Sequence, residues 1–243
     1  MRAELDSLKP KKNAIPDHVG IIMDGNRRWA KERNLPTLEG HLKGYEKMRT
    51  CPKWFFDRGV EALSVFAFST ENWNRSREEV NYLMKLIKRA FTEDLEEMKK
   101  KGYRIVFSGR IDELPGDLPE VCAQVVDRTK ANQSGIVNIC LNYGGRAEII
   151  DAVRKIVKNK IGLEQIHEGM IKKYLYNGNL SDPDIIVRTS GEQRISGFQL
   201  WQSAYSELMF IKKHWPDFEE ADADIIISEY SNRQRRFGGD GGE

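Results

Sequence analysis

Six short apolar runs alternate with segments of helical spacing along this chain, and this alternation constrains the fold more than any other feature. The runs predict strands at 19–24, 62–68, 104–108, 136–141, 184–187 and 206–211. The longest helical segment is predicted from Ser76, an N-cap followed by two glutamates, to about Lys101. Strands that alternate with helices indicate a parallel sheet. We therefore predict one α/β domain with a central, mostly parallel six-stranded sheet flanked by helices.

The first apolar run ends abruptly at an acid. Asp24 is followed by Gly25 and Asn26, which are turn residues, and then by Arg27 and Arg28. A carboxylate can hold a hard cation, and a glycine lets backbone N–H groups approach an anion. Arginine binds phosphate oxygens through two parallel hydrogen bonds. This stretch is therefore typical of a phosphate site with a metal, although a strand–turn–helix with a solvated basic tip explains it equally well.

Polar clusters follow three further strands, at 69–75, 142–145 and 188–196. Ligands of open α/β sheets bind outside the carboxyl ends of the strands, so we expect these clusters to share one pocket. Together the clusters contain five arginines and indicate more than one phosphate-bearing group: Arg27, Arg28, Arg75, Arg188 and Arg194. Two acids, Asp24 and Glu207, are predicted to bind Mg²⁺, which takes one or two carboxylates together with substrate phosphates.

Composition limits the partners and the compartment. A net charge of +2 over 243 residues gives no electrostatic case for a nucleic-acid partner. Three widely separated cysteines fit a reducing cytoplasm better than a disulfide framework. No secretory signal and no membrane-spanning stretch is predicted, so the chain is expected to be cytoplasmic, with at most peripheral membrane contact. We expect flexible ends at 1–16, which is basic, and at 240–243, around a domain covering 17–239.

Several common catalytic motifs are missing. The chain has no G-x-x-x-x-G-K-[ST] loop and no G-x-G-x-x-G after a strand, which weakens nucleotide-binding interpretations. It also has no H-E-x-x-H or G-x-S-x-G motif. An α/β phosphotransferase stays open as an alternative, and a test for nucleotide dependence would distinguish it.

The clusters taken together resemble the cis-prenyltransferase family of undecaprenyl and dehydrodolichyl diphosphate synthases. The resemblance extends from about His18 to Gly239. It is carried by HVGIIMDGNRRW at 18–29, GH at 40–41, FSTENWNR at 68–75, NYGGR at 142–146, IVRTSGEQRIS at 186–196, LWQSAYSE at 200–207, WPD at 215–217 and RRFGG at 235–239. One such motif would be weak evidence of membership, but this many motifs in the order found in the family are specific to it.

The resemblance implies a magnesium-dependent enzyme that adds isopentenyl diphosphate repeatedly to an allylic diphosphate, with new cis double bonds and an apolar tunnel for the growing chain. It implies a homodimer whose C-terminal segment completes a site across the interface. It assigns Asp24 and Asn72 to catalysis and Asp24 and Glu207 to the metal. It assigns substrate binding to Gly25, Asn26, Arg27, Arg28, Trp29, His41, Ser69, Thr70, Glu71, Trp73, Arg75, Arg188, Arg194, Ile195 and Ser196.

Three positions depart from the pattern of many bacterial members. Arg27 replaces a glycine, Gln193 a histidine and Thr37 an arginine, and these features resemble the archaeal and eukaryotic branches. They leave the primer open between farnesyl and geranylgeranyl diphosphate. The alternative function is a non-catalytic, lipid-binding partner subunit. Such subunits lose the opening aspartate motif, which is intact here at Asp24.

Overall fold

A computed structural model of the protein describes residues 15–233. Six strands form one sheet: β1 (His18–Ile22), β2 (Ala62–Ser69), β3 (Arg104–Ser108), β4 (Ile136–Tyr143), β5 (Ile185–Arg188) and β6 (Glu207–Phe210). All pairs are parallel, in the order β3-β4-β2-β1-β5-β6. The predicted α/β class and strand number are confirmed. Of the predicted flexible ends, 1–14 of the 1–16 segment and all of 240–243 lie outside the described residues, as does the RRFGG stretch at 235–239.

Eight α-helices in the described part of the chain connect and cover these strands. They are α1 (Asn26–Glu32), α2 (Thr37–Phe56), α3 (Arg77–Thr92), α4 (Leu95–Lys100), α5 (Leu118–Thr129), α6 (Gly145–Lys158), α7 (Glu168–Tyr174) and α8 (Glu220–Ser231). The helix predicted from Ser76 begins as expected, since the Ser76 hydroxyl accepts the Glu79 N–H at 3.3 Å. It is not continuous to Lys101, because Asp94 interrupts it. The Asp94 carboxylate accepts the Tyr45 hydroxyl and pairs with Arg49, both on α2.

Both faces of the sheet are buried, as expected for parallel strands between helices. Alternate residues of β1 show the pleat: Val19 and Ile21 belong to the larger core cluster, which includes Phe55, whereas Ile22 belongs to a smaller one around Phe198. Strand β5 alternates in the same way. The central strands β1 and β2 therefore have no solvent-exposed face, and the polar residues that follow them emerge at the end of the sheet.

Helix α6 buries only some of its apolar residues. Ala152 and Ile156 are buried, but Ile150 and Val153 are 49% and 45% exposed. The helical spacing of apolar residues alone does not say which of them are covered.

A buried histidine joins β1 to β2 at the amino ends of the strands. The His18 ring contacts the Ser64 hydroxyl through Nε2 at 2.7 Å and the Ser181 carbonyl through Nδ1 at 2.6 Å. The ring is completely buried, and this burial lowers the pKa of His18 to about 4. His18 is therefore neutral in the native protein at pH 7.

The structure shows the state of the cysteines and the length of the helices within residues 15–233. All three cysteines are buried free thiols. No helix in this range is both long enough and apolar enough to cross a bilayer.

Candidate active site at the carboxyl end of the sheet

Asp24 lies just beyond the carboxyl end of β1, where neighbouring segments fix its backbone. The Thr189 hydroxyl, at the end of β5, accepts the Asp24 N–H at 2.8 Å and lies 2.6 Å from the Asp24 carbonyl. The same carbonyl accepts the Trp215 N–H at 3.0 Å. Because β5 is adjacent to β1 in the sheet, residues 165 positions apart meet at this point.

Two arginines hold the Asp24 carboxylate. Arg188 donates to Oδ2 from Nε at 3.3 Å and Nη2 at 2.8 Å, and Arg28 pairs with the same oxygen at 3.0 Å. Burial raises the pKa of Asp24, but the two guanidinium groups outweigh burial and hold it below its usual value. Asp24 is therefore ionised at neutral pH. All these contacts use Oδ2, and among residues 15–233 no hydrogen bond uses Oδ1.

Gly25 makes the turn between Asp24 and α1. Its φ of 106° lies in the left-handed region, which favours glycine. A Cβ at this position would lie 2.7 Å from His214 Nδ1 and 2.8 Å from Ser190 Oγ. Any larger residue would push the turn away from the end of β5, and the arginines of α1 would move with it.

Arg188, the last residue of β5, also organises the segment that follows it. Its Nη1 donates to the Arg194 carbonyl at 2.6 Å and to the Ser196 hydroxyl at 2.8 Å. The guanidinium is almost completely buried. One side chain therefore connects the Asp24 carboxylate with the 194–196 segment, although the two lie about 170 residues apart in the chain.

A second charged cluster lies where α2 meets α3. Glu79 Oε1 accepts from His41 Nε2 at 2.9 Å and from Arg75 Nη1 at 3.0 Å. Burial lowers the pKa of His41 despite the adjacent Glu79, while His41 and Arg75 overcome burial to lower the pKa of Glu79. We infer a neutral His41 with its proton on Nε2, because a carboxylate can only accept.

The turn after β2 presents Asn72. Residues Thr70–Asn74 form a 3₁₀-helix that begins with a reciprocal cap: Asn72 Oδ1 accepts the Ser69 N–H at 3.0 Å, and the Ser69 side chain accepts the Asn72 N–H. The next residue, Trp73, is partly exposed and donates to Asn142 Oδ1 at 2.8 Å. The polar clusters after β2 and β4 are therefore in direct contact.

These elements surround a cavity of about 1120 Å³. Of the predicted site residues, twelve line it: Asp24, Gly25, Asn26, Arg27, Arg28, His41, Ser69, Glu71, Asn72, Arg75, Arg188 and Ser196. An apolar wall faces these groups and includes Ile22, Leu35, Phe66, Ala67 and Leu83. Residues of the clusters after β1, β2 and β5 line this cavity together, whereas no residue of the 142–145 cluster does. An extended tunnel beside the sheet stays a prediction.

Five predicted site residues of this region are outside the cavity lining: Trp29, Thr70, Trp73, Arg194 and Ile195. Trp29 is buried and donates to Asp217 Oδ1 at 2.6 Å, so it attaches α1 to the segment after β6. Arg194 is more than half exposed and points its guanidinium to Glu192.

Glu207 does not join Asp24 within one chain, and the expectation of two carboxylates in one pocket is wrong for the single chain. Glu207 begins β6, in register with Ile185 of β5 and so with Val19 of β1. Asp24 lies beyond Ile22, and Val19 to Ile22 alone span about 10 Å of strand. The two carboxylates are thus at different ends of parallel strands, and Glu207 pairs with Arg233 at 2.9 Å.

Two acidic residues of the site were missed by the sequence reasoning. Glu79 had been interpreted only as an acid at a helix start, although its i,i+4 spacing from Arg75 would have indicated the pair. Glu192 pairs with Arg28 at 2.6 Å and also with Arg194. No local pattern indicates the contact with Arg28, because the two residues come from different strand ends.

The fold and the site define a phosphate-binding α/β protein, and comparison with known proteins gives the family. The sequence model of the undecaprenyl diphosphate synthase family matches residues 22–238. Since the match covers most of the chain, the protein belongs to this family, the cis-prenyltransferases.

Two relatives and one solved structure illustrate the similarity. The Micrococcus luteus undecaprenyl diphosphate synthase named as specific for farnesyl diphosphate is 43% identical over 229 residues, 93% of this chain and 92% of its own. The Picrophilus torridus enzyme named as specific for geranylgeranyl diphosphate is 45% identical over 234 residues, 94% of this chain and 92% of its own. Lavandulyl diphosphate synthase from Lavandula x intermedia, solved with dimethylallyl diphosphate, superposes with a TM-score of 0.88 at 31% identity, covering 92% of this chain and 98% of that one.

Proposed function

We propose that this chain is a polyprenyl diphosphate synthase that condenses isopentenyl diphosphate repeatedly onto an allylic diphosphate primer, with new cis double bonds. The observation that carries the proposal is the Asp24 carboxylate, held between Arg28 and Arg188 at the polar end of a cavity with an apolar wall. A substrate with a diphosphate head and a hydrocarbon tail matches both parts of this cavity.

The arginines stabilise the charge that develops as the primer reacts. The allylic C–O bond breaks, a C–C bond forms to isopentenyl diphosphate, and a proton leaves the carbon beside the new cationic centre. Pyrophosphate departs as a polyanion, and preorganised cationic donors lower the barrier to its departure. We propose that Arg27, Arg28 and His41 bind the allylic diphosphate, and that Arg188, Arg194 and Ser196 bind isopentenyl diphosphate.

The residues present fit a magnesium ion. Within residues 15–233 no cluster of three or more acidic, histidine or cysteine side chains could enclose a metal. Mg²⁺ does not need such a cluster, because it binds through one or two carboxylates together with substrate phosphates. We propose that Asp24 holds the ion through Oδ1. When bound, Mg²⁺ would neutralise charge on the departing diphosphate.

Asn72 is proposed to lie beside the proton that leaves. Its Oδ1 accepts the Ser69 N–H, so the cap of the 3₁₀-helix fixes the orientation of the amide. Phe66, Ala67 and Leu83 on the apolar wall exclude water from the cationic centre. The same wall would receive the first units of the product chain.

We also propose a homodimer formed through the exposed apolar residues of α6. Val157 is 70% exposed and extends the row that contains Ile150 and Val153. Burial of such a row in a second copy removes apolar surface from water. Since Glu207 is remote from Asp24 in its own chain, we propose that it contributes to metal binding in the partner's site. Val153→Glu should give a monomer by light scattering, and a variant that stays dimeric would contradict this interface.

The central experiment measures incorporation of labelled isopentenyl diphosphate by the purified chain. Turnover should require both Mg²⁺ and an allylic primer, with no nucleotide, and Asp24→Ala should abolish it while the circular dichroism spectrum is unchanged. Retention of most turnover by Asp24→Ala would contradict the site assignment. A chain that binds primer but elongates it only with a second protein would instead support the partner-subunit alternative. Farnesyl and geranylgeranyl primers run side by side will identify the preferred primer and the product length.

A further inference from the structure

Glu192 pairs with two of the arginines proposed to bind diphosphate. Its Oε1 accepts from Arg28 Nη1 at 2.6 Å, and its Oε2 accepts from Arg194 Nη1. The side chains of all three residues are about a third or more exposed, so this cluster lies at the solvent side of the site. The resemblance gave Glu192 no role.

The site contains two carboxylates that share one arginine. Asp24 is shared by Arg28 and the buried Arg188, whereas Glu192 is shared by Arg28 and Arg194. Arg28 contacts both carboxylates. The allylic diphosphate on Arg28 and the isopentenyl diphosphate on Arg194 each need N–H donors that Glu192 now occupies, and a guanidinium has a limited number of them.

Backbone hydrogen bonds of the two preceding residues hold the segment that carries Glu192. The preceding Ser190 and Gly191 both have left-handed φ values, 76° and 74°. The Ser190 N–H bonds the Lys213 carbonyl and the Gly191 N–H bonds the Ile211 carbonyl, each at 2.8 Å. Glu192 therefore stays beside the site when its arginines turn to a ligand, and its negative charge then repels the bound phosphates.

We propose that Glu192 is a resident counter-ion that occupies the diphosphate-binding guanidinium groups between turnovers and promotes release of pyrophosphate. This inference rests on the proposed function, since it takes Arg28 and Arg194 as diphosphate ligands. Without Glu192, these arginines would have more donors free for phosphate, and the bound anion would have no neighbouring negative charge.

The test is calorimetric titration of inorganic pyrophosphate into wild type and Glu192→Gln, with and without Mg²⁺. The amide keeps the shape and a hydrogen-bond acceptor but removes the charge. We expect pyrophosphate to bind Glu192→Gln about five- to tenfold more tightly, as expected for loss of one like charge a few ångströms away in a partly solvated site. We also expect a lower kcat together with a lower KM for isopentenyl diphosphate, because release becomes slower.

Glu97→Gln is a matched control. Glu97 also bridges two cations, Arg49 at 2.5 Å and Lys101 at 2.7 Å, but it lies on α4 outside the cavity lining. Its substitution should not change pyrophosphate affinity. Glu192→Ala, which also lacks the acceptor, should bind pyrophosphate at least as tightly as Glu192→Gln.

Equal or weaker pyrophosphate binding by both Glu192 variants would overturn the proposal, because it would show that Glu192 only holds the arginines in place. This failure can be distinguished from a failure of the proposed function. A wild-type chain that binds pyrophosphate but never condenses isopentenyl diphosphate would contradict the function, while the affinities of the variants could still be compared.

Discussion

Replacement of Arg188 by lysine tests whether one guanidinium organises the site. The Arg188 guanidinium makes four hydrogen bonds within residues 15–233: two to Asp24, one to the Arg194 carbonyl and one to the Ser196 hydroxyl. A lysine ammonium can keep the contact with Asp24, but it cannot reach three groups in the fixed directions of a guanidinium. The Arg188→Lys variant therefore loses the two bonds that position the 194–196 segment.

The size of the effect follows from these lost bonds. Hydrogen bonds to a charged group contribute about 1.5–3 kcal/mol each in folded proteins. Allowing for partial replacement by water, we expect a loss of about 2–4 kcal/mol in transition-state stabilisation, a decrease of roughly 30- to 900-fold in kcat/KM for isopentenyl diphosphate. The KM for the allylic primer should change much less, because Arg28 and His41 are untouched.

Arg58 offers a matched control. Its guanidinium also makes four hydrogen bonds within residues 15–233, two to Asp224 and one each to Glu220 and the Trp54 carbonyl, but it is not part of the cavity lining. Arg58→Lys should leave kcat/KM unchanged. Steady-state kinetics with each substrate varied in turn measure the effect, and thermal unfolding verifies that both variants fold. A loss below about fivefold in folded Arg188→Lys would refute the reasoning.

Three further predictions concern stability and the second charged cluster. Because His18 is neutral in the fold with a pKa of about 4, against about 6.5 unfolded, its protonation favours the unfolded state. Protonation of His18 should lower the free energy of unfolding by about 3 kcal/mol as the pH falls from 7 to 4. Urea unfolding of His18→Asn should lack this part of the decrease. An equal pH dependence of stability in both proteins would contradict the prediction. Gly40→Ala would place a Cβ 2.0 Å from the Asn26 carbonyl oxygen, so it should lower the free energy of unfolding by about 3 kcal/mol or more. Gly162→Ala is the control: its Cβ would have no atom within 4 Å, so its free energy of unfolding should hardly change. Glu79→Gln leaves His41 and Arg75 without their shared carboxylate and should raise the KM for the allylic primer about tenfold in steady-state assays; an unchanged KM would show that the cluster is structural.

Most strands and the residues that follow them could be predicted from sequence, because burial on both faces of a parallel sheet requires continuous apolar runs. The predicted apolar runs ended close to the observed ends of β1 and β5, so Asp24 and Arg188 were correctly expected at the carboxyl edge of the sheet. The same rule also shows why Glu207 was placed wrongly. It lies near the start of the sixth apolar run, and the first residue of a parallel strand is at the edge opposite to the site.

Other features depended on contacts that no local pattern contains. The break between α3 and α4 lies at Asp94, which contacts α2, and the exposure of Ile150, Val153 and Val157 on α6 depends on what the rest of the fold covers. The pairing of Arg28 with Glu192 needs the ends of β1 and β5 to be neighbours.

The sequence by itself determined the class of fold, the family and the kinds of side chain at each strand end, because apolar periodicity and motif order are local properties. Only the tertiary structure decided which strand ends are adjacent, which carboxylates meet which arginines and which charges are buried. The pairing of β1 with β5 joins segments more than 100 residues apart, and this pairing brings Asp24, Arg28, Arg188 and Glu192 into one cluster.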